Sequence, residues 1–160
     1  MECSLSRSVS RASNIQYGAL PWRHTSAGLR ILLITTRTTR RWIVPKGWPI
    51  EGLAPHEAAA REAFEEAGVQ GKVGDEMLGT FNHRKQLKTG QVIACRVHVY
   101  PLEVTETHDE WCEKEDREIQ WCSVEEALAQ VSDPALRRLI AKFARIAAAL
   151  PSGDILGASA

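Results

Sequence analysis

Apolar and polar positions change their rhythm several times along the chain, and each change marks a boundary. "IQYGALPWR" (15–23) and "GLRILLITTR" (28–37) are apolar-rich runs separated by a polar turn at His24 to Gly28, a pattern that predicts two strands. "RWIVPKG" (41–47) reads as a short strand ended by Pro45. Helical composition then takes over in "HEAAAREAFEEA" (56–67), with Pro55 suited to the first turn and Gly68 to the residue just past the end. "GKVGDEMLGTFNH" (71–83) and "QVIACRVHVYPLEV" (91–104) predict a further strand pair joined by a basic segment at 83–90, and "EIQWCS" (118–123) a last short strand. Ser123 and Glu126 form a capping box for "VEEALAQV", and "DPALRRLIAKFARIAAAL" (133–150) is a long amphipathic helix. Strands and helices are mixed without strict alternation, which predicts an α+β fold with a mixed sheet packed by helices. One domain is expected over 14–150, with tails at 1–13 and 151–160.

The helix before Gly68 carries the candidate chemistry. At about 100° per residue, Glu62, Glu65 and Glu66 share an arc of roughly a third of the circumference, opposite Ala60, Ala63, Phe64 and Ala67. This predicts a face of small residues against the sheet and a carboxylate face turned away from it. A solvated outer face is the plain reading of such glutamates, but two costs oppose it. The like-charge neighbours Glu62/Glu66 and Glu62/Glu65 cost roughly 0.2–0.5 kcal/mol each. Glu65 and Glu66 also stand in the last turn, where the negative end of the helix dipole adds roughly 0.3–1 kcal/mol apiece. Arg61 relieves part of this; a hard divalent cation such as Mg²⁺ would relieve more, and would bring with it the chemistry of phosphoanhydride hydrolysis.

Bulk composition adds mainly exclusions. With 20 basic and 20 acidic residues the formal charge is zero, so no general attraction to nucleic acid or membrane is expected, although "HRKQLK" (83–88) is basic and "ETHDEWCEKEDRE" (106–118) acidic. No apolar run approaches the roughly 20 residues that span a bilayer. Cys3, Cys95, Cys112 and Cys122 form no C-x-x-C pair and read as free thiols of a cytoplasmic protein, with Cys95 and Cys122 buried. The Ser- and Arg-rich stretch 1–13 reads as a flexible tail, a transit peptide being the alternative.

The helix and the loop before it resemble the signature of the Nudix hydrolases: Gly, five residues, Glu, seven residues, then Arg-Glu-aliphatic-any-Glu-Glu-any-Gly-aliphatic. Gly47, Arg61, Glu62, Glu65, Glu66, Gly68 and Val69 occupy matching places, seven of nine defined positions. Leu53 stands where the motif has its first glutamate, with Glu51 as a nearby substitute, and Ala63 where it has a bulky aliphatic. The resemblance implies a Nudix-type sheet between helices. It also implies a metal site, Mg²⁺ or Mn²⁺, held by Glu62, Glu65 and Glu66 with the carbonyl of Gly47, and Glu62 or Glu66 orienting or deprotonating the attacking water. Arg61 belongs to the same catalytic set. Glu115 is the candidate for a further ligand from a later loop, or else one charge in a solvated acidic segment.

Within that family the arrangement looks most like the diphosphoinositol polyphosphate phosphohydrolases, which also cleave diadenosine polyphosphates. Arg41, Lys46, Arg84, Lys85 and Lys88 are the expected contacts to so anionic a substrate, with a solvated turn as the alternative for 83–88. Trp48 either stacks on a base or packs beneath the loop. The implied partner is a small phosphorylated molecule, with the 5′-triphosphate end of RNA as the one nucleic-acid candidate. The contrasting expectation is a non-catalytic module of the same fold that senses a nucleotide or binds a protein, for which Leu53 is the supporting feature.

Overall fold

The structure is a computed structural model that describes residues 14–149; the tails expected at 1–13 and 151–160 lie outside the described residues, as does Leu150. Eight strands and three helices follow in the order β1 (Ile15–Thr25), β2 (Gly28–Thr35), β3 (Trp42–Ile43), β4 (Lys46–Gly47), α1 (Pro55–Ala67), β5 (Val69–Val73), β6 (Gly79–Gln86), β7 (Val92–Thr107), β8 (Ile119–Cys122), α2 (Val124–Gln130) and α3 (Pro134–Ala149). All strands join one sheet with the order β3-β2-β1-β7-β5; β4 also pairs with β1, β6 with β7 and β8 with β2. The β1–β7 pair is parallel, Ile15 opposite Arg96 through Trp22 opposite Glu103, and the other pairings are antiparallel. The sheet is therefore mixed, as expected.

Every residue of β1 from Gly18 to Trp22 is buried, so both faces of the sheet are covered there. Trp22 packs its ring against Phe143 of α3 at 5.6 Å between centroids. The apolar stripe of α3, namely Leu136, Leu139, Ile140, Phe143 and Ala147, is buried in this core. Ser123 caps α2 through the expected box: its hydroxyl accepts from the Glu126 N–H at 3.1 Å, and Glu126 Oε1 accepts from the Ser123 N–H at 3.2 Å.

Three expectations change. The single strand expected over 71–83 is two, β5 and β6, interrupted after Val73. The first half of the basic segment 83–90 is strand, since β6 continues to Gln86 and the turn is confined to about 87–91, closed by the Leu87 N–H to Gln91 O bond at 2.8 Å. Cys95 and Cys122 are buried free thiols as expected, but Cys112 is disulfide-bonded, a pairing that depends on spatial approach and not on sequence spacing.

Candidate active site

α1 begins at Pro55, where the Ala54 N–H donates to Glu57 Oε1 at 2.9 Å, and ends at Gly68. Gly68 has φ +68°, a left-handed conformation open to glycine, and its N–H bonds Phe64 O at 3.0 Å. A side chain there would also collide with the Trp111 ring. The chain of 108–118 folds over this end of the helix: the His108 N–H donates to Gly68 O at 2.9 Å and the Glu113 N–H to Glu65 O at 3.0 Å. These bonds satisfy carbonyls that a helix end otherwise leaves open.

The carboxylates do not face solvent. Ala58, Glu62, Glu65, Ala59, Glu66, Ala63 and Ala67 are all buried, and at about 100° per residue they span roughly 200° of the helix. The expectation of a carboxylate face turned away from the sheet is therefore corrected. Ala63 and Ala67 meet the core, Ala60 and Phe64 are half-buried on the flank, and Phe64 stands edge-on to His108 at 5.4 Å. The reason is β4, which lies against the acidic arc. Gly47 carries no side chain where one would overlap the Glu62 carboxylate, and the Lys46 N–H donates to Glu66 Oε2 at 3.2 Å. Glycine at 47 is thus required by the close approach of a carboxylate to the backbone.

Glu66 Oε1 meets Arg117 Nη2 at 3.3 Å. Arg117 in turn donates from Nη1 to Thr35 O at 3.0 Å and from Nε to Glu113 Oε1 at 3.2 Å, and Glu113 also accepts from Arg37. Burial pushes the Glu66 carboxyl up from 4.5 to about 7, against the pull of Arg117 and Lys46. The same burial lowers the Lys46 ammonium from 10.5 to about 8, partly offset by Glu66.

Lys46, Arg41, Arg84, Lys85 and Lys88, the five expected substrate contacts, line one cavity of about 630 Å³. Arg37 and Arg117, which the sequence pattern did not single out, line it as well, and so does the buried Trp48. His83, on the same wall, has its imidazole lowered from 6.5 to about 3 by burial and by Lys46, Arg41, Lys85 and Arg117. A second cavity of about 510 Å³ adjoins it and shares Arg41, Ile43, His83 and Arg84.

Three expected residues stand elsewhere. Arg61 is exposed, as are Glu51 and Glu115. Glu113, two positions before Glu115, is the acid of this loop that reaches the Glu66 network. A lone arginine inside "EKEDRE" was the available signal for Arg117; Glu113 carried none, because the neighbouring acids look the same in sequence. Leu53 is half-buried in the turn where its N–H bonds Ile50 O at 3.1 Å, and no ion pair with a described residue holds Arg61.

Among the described residues, no group of three or more His, Cys, Asp or Glu side chains is gathered tightly enough to hold a metal ion. The donor set nonetheless suits a hard cation, because Mg²⁺ needs only one or two carboxylates and completes its shell with water and phosphate oxygens. Glu62 and Glu66 are buried one helical turn apart, and the cradle at Gly47 brings backbone beside Glu62. Such an arrangement can place a cation beside a pocket built to hold phosphates.

A family model described as the NUDIX domain matches residues 19–143. The mitochondrial Nudix hydrolase 12 of Arabidopsis thaliana is 31% identical over 121 residues, covering 74% of this chain and 60% of that protein. Diphosphoinositol polyphosphate phosphohydrolase 3-beta of Bos taurus is 39% identical over 104 residues, 61% of this chain and 57% of that protein. A crystal structure of the C. elegans Ap4A hydrolase superposes with a TM-score of 0.61 at 19% identity, covering 83% of this chain and 97% of that one, a likeness of fold. The chain spans about three fifths of the length of these curated relatives. Among the described residues no helix is long and apolar enough to cross a membrane.

Proposed function

The chain belongs to the Nudix family, and from that premise we propose that it is a metal-dependent diphosphatase cleaving a phosphoanhydride bond in a dinucleoside polyphosphate or a diphosphoinositol polyphosphate. The observation that carries this reading is the juxtaposition of a cation-lined cavity with buried carboxylates: Lys46 and Arg117 belong to both, each bonded to Glu66 and each lining the cavity. Relatives named for diphosphoinositol polyphosphates and a fold shared with an Ap4A hydrolase support the substrate class.

Of the three expected carboxylates, Glu62 and Glu66, with the Gly47 carbonyl, would hold Mg²⁺ or Mn²⁺, with Glu65 the third candidate; when bound the ion supplies a Lewis acid for phosphoryl oxygens and lowers the pKa of water. The chain's own residues do the rest. Arg37, Arg41, Arg84, Lys85 and Lys88 hold and orient the phosphates, while Arg117 and Lys46 balance Glu66 so that substrate charge and carboxylate charge can coexist. A carboxyl raised toward neutrality accepts a proton from water near pH 7, a role for Glu66 with Glu62 as the other candidate. Arg61 is exposed and does not line the cation-walled cavity, so it takes no part in holding the phosphates there.

A screen of dinucleoside polyphosphates, diphosphoinositol polyphosphates and 5′-triphosphate RNA with Mg²⁺ or Mn²⁺, products identified, tests the proposal. Turnover of at least one is expected, falling roughly a hundredfold or more in Glu66→Gln. No turnover across the panel, or an equally active variant, refutes it. The second reading, a nucleotide-sensing module without catalysis, draws on Leu53 and on the engagement of Glu66 by Arg117 and Lys46. Tight, metal-independent ligand binding without turnover would select it.

A further inference from the structure

Two segments far apart in sequence are bonded together beside the larger cavity. Residues 35–41 and 113–118 share the Thr35 N–H to Glu118 O bond at 3.1 Å and the Glu118 N–H to Thr35 Oγ1 bond at 3.0 Å. Arg117 Nη1 donates to Thr35 O at 3.0 Å, and Arg40 Nη1 to Asp116 O at 3.3 Å. At the centre stands the Glu113 carboxylate. Its Oε1 accepts from Arg37 Nε at 3.1 Å and from Arg117 Nε at 3.2 Å, and Arg37 Nη2 meets the same oxygen. Both arginines line the larger cavity, whereas Glu113 lines neither cavity. Its side chain is 13% exposed, and its own N–H is bonded to Glu65 O near the end of α1.

We propose that Glu113 is a positioning residue for phosphate binding: without touching the substrate, it fixes Arg37 and Arg117 in the orientation in which they line the cavity. This rests on the phosphoanhydride reading above. Two effects of the carboxylate compete. It reduces the positive charge that a polyphosphate meets, and it orders in advance two long side chains that the ligand would otherwise have to order. Ordering wins at Arg37, whose side chain is 56% exposed, so that water and salt screen its charge. Asp116, the other acid beside Arg37, stands 3.7 Å away and is exposed, so it does not replace that grip. Arg117 keeps Thr35 O and Glu66 as partners, which leaves Arg37 to carry most of the effect.

The test is calorimetric titration of the full chain with tripolyphosphate, without metal. Glu113→Gln should weaken binding roughly threefold to tenfold, the cost of ordering one long side chain on binding. Glu113→Asp, which keeps the charge but is one methylene shorter, should weaken it as well. In an Arg37→Met background Glu113→Gln should cost less than about twofold, because the carboxylate acts through Arg37; a merely structural role would cost the same in both backgrounds. Overturning results are no tripolyphosphate binding by wild type, unchanged or tighter binding in Glu113→Gln, wild-type affinity in Glu113→Asp, or an equal loss with and without Arg37. If melts show that Glu113→Gln does not fold, Glu113→Asp decides. Should binding respond as expected while no phosphoanhydride is cleaved, the positioning role stands and the hydrolase reading fails. Cleavage with a tripolyphosphate affinity indifferent to Glu113 does the opposite: the hydrolase stands and the positioning role fails.

Discussion

Replacing Glu66 by Gln should make the metal-free protein more stable at neutral pH while disabling it. Glu66 is 4% exposed, and its carboxyl rises from 4.5 to about 7 because burial outweighs the attraction of Arg117 and Lys46. At about 1.4 kcal/mol per pKa unit, holding it ionised costs about 3 kcal/mol relative to the unfolded chain. The sign follows from linkage. A raised folded-state pKa gives stability that is complete below 4.5 and is lost as pH rises to about 7, after which the deficit is constant. Gln is neutral throughout, so Glu66→Gln should match wild type near pH 4 and exceed it by up to about 3 kcal/mol at pH 8. For a chain of this size that is roughly 6 to 12 °C in Tm. Thermal melts at both pH values in EDTA, repeated with Mg²⁺, provide the assay. Mg²⁺ at a hundred times its Kd should restore about 2.7 kcal/mol to wild type and nothing to the variant. A variant no more stable than wild type at pH 8 in EDTA would refute the claim that Glu66 is held ionised against burial.

Three further outcomes follow from the same geometry. Gly47→Ala sets a methyl group against the Glu62 carboxylate, so urea unfolding should show a loss of about 1–3 kcal/mol and turnover should collapse; unchanged stability would mean Glu62 does not need that cradle. Arg117→Met leaves Glu66 with Lys46 alone and should cost about 3 kcal/mol, while the double variant with Glu66→Gln recovers most of it; additive losses would deny the pairing. His83 has a folded pKa lowered from 6.5 to about 3, so its share of stability is complete above 6.5 and is lost as pH falls toward 3. Its imidazole resonances should not titrate between pH 5 and 8 in the free protein, and added tripolyphosphate, by neutralising the surrounding cations, should bring the titration up toward that range.

The helix, the Ser123 capping box, most of the strands and the mixed sheet were legible in the chain because each is announced locally, by Pro55 and Gly68 at the ends of α1 or by the run of apolar residues in β2. The five expected cations were legible too, and they do line one cavity. Periodicity misjudged the glutamates for a definite reason: it orders residues around a helix but does not say what covers each side. A two-residue strand, β4, covers the acidic arc, and its contacts with residues 62 and 66 come from pairing with β1, far away in sequence. Arg117, Glu113 and Arg37 escaped for the same reason, since their shared carboxylate joins positions 76 residues apart. Sequence alone determined which elements form and that carboxylates and cations are both present. Tertiary structure alone decided that the glutamates are buried and that Lys46 and Arg117 join them to a cation-lined cavity, because burial and Coulomb attraction depend on distance in space, and distance in space is what long-range strand pairing sets.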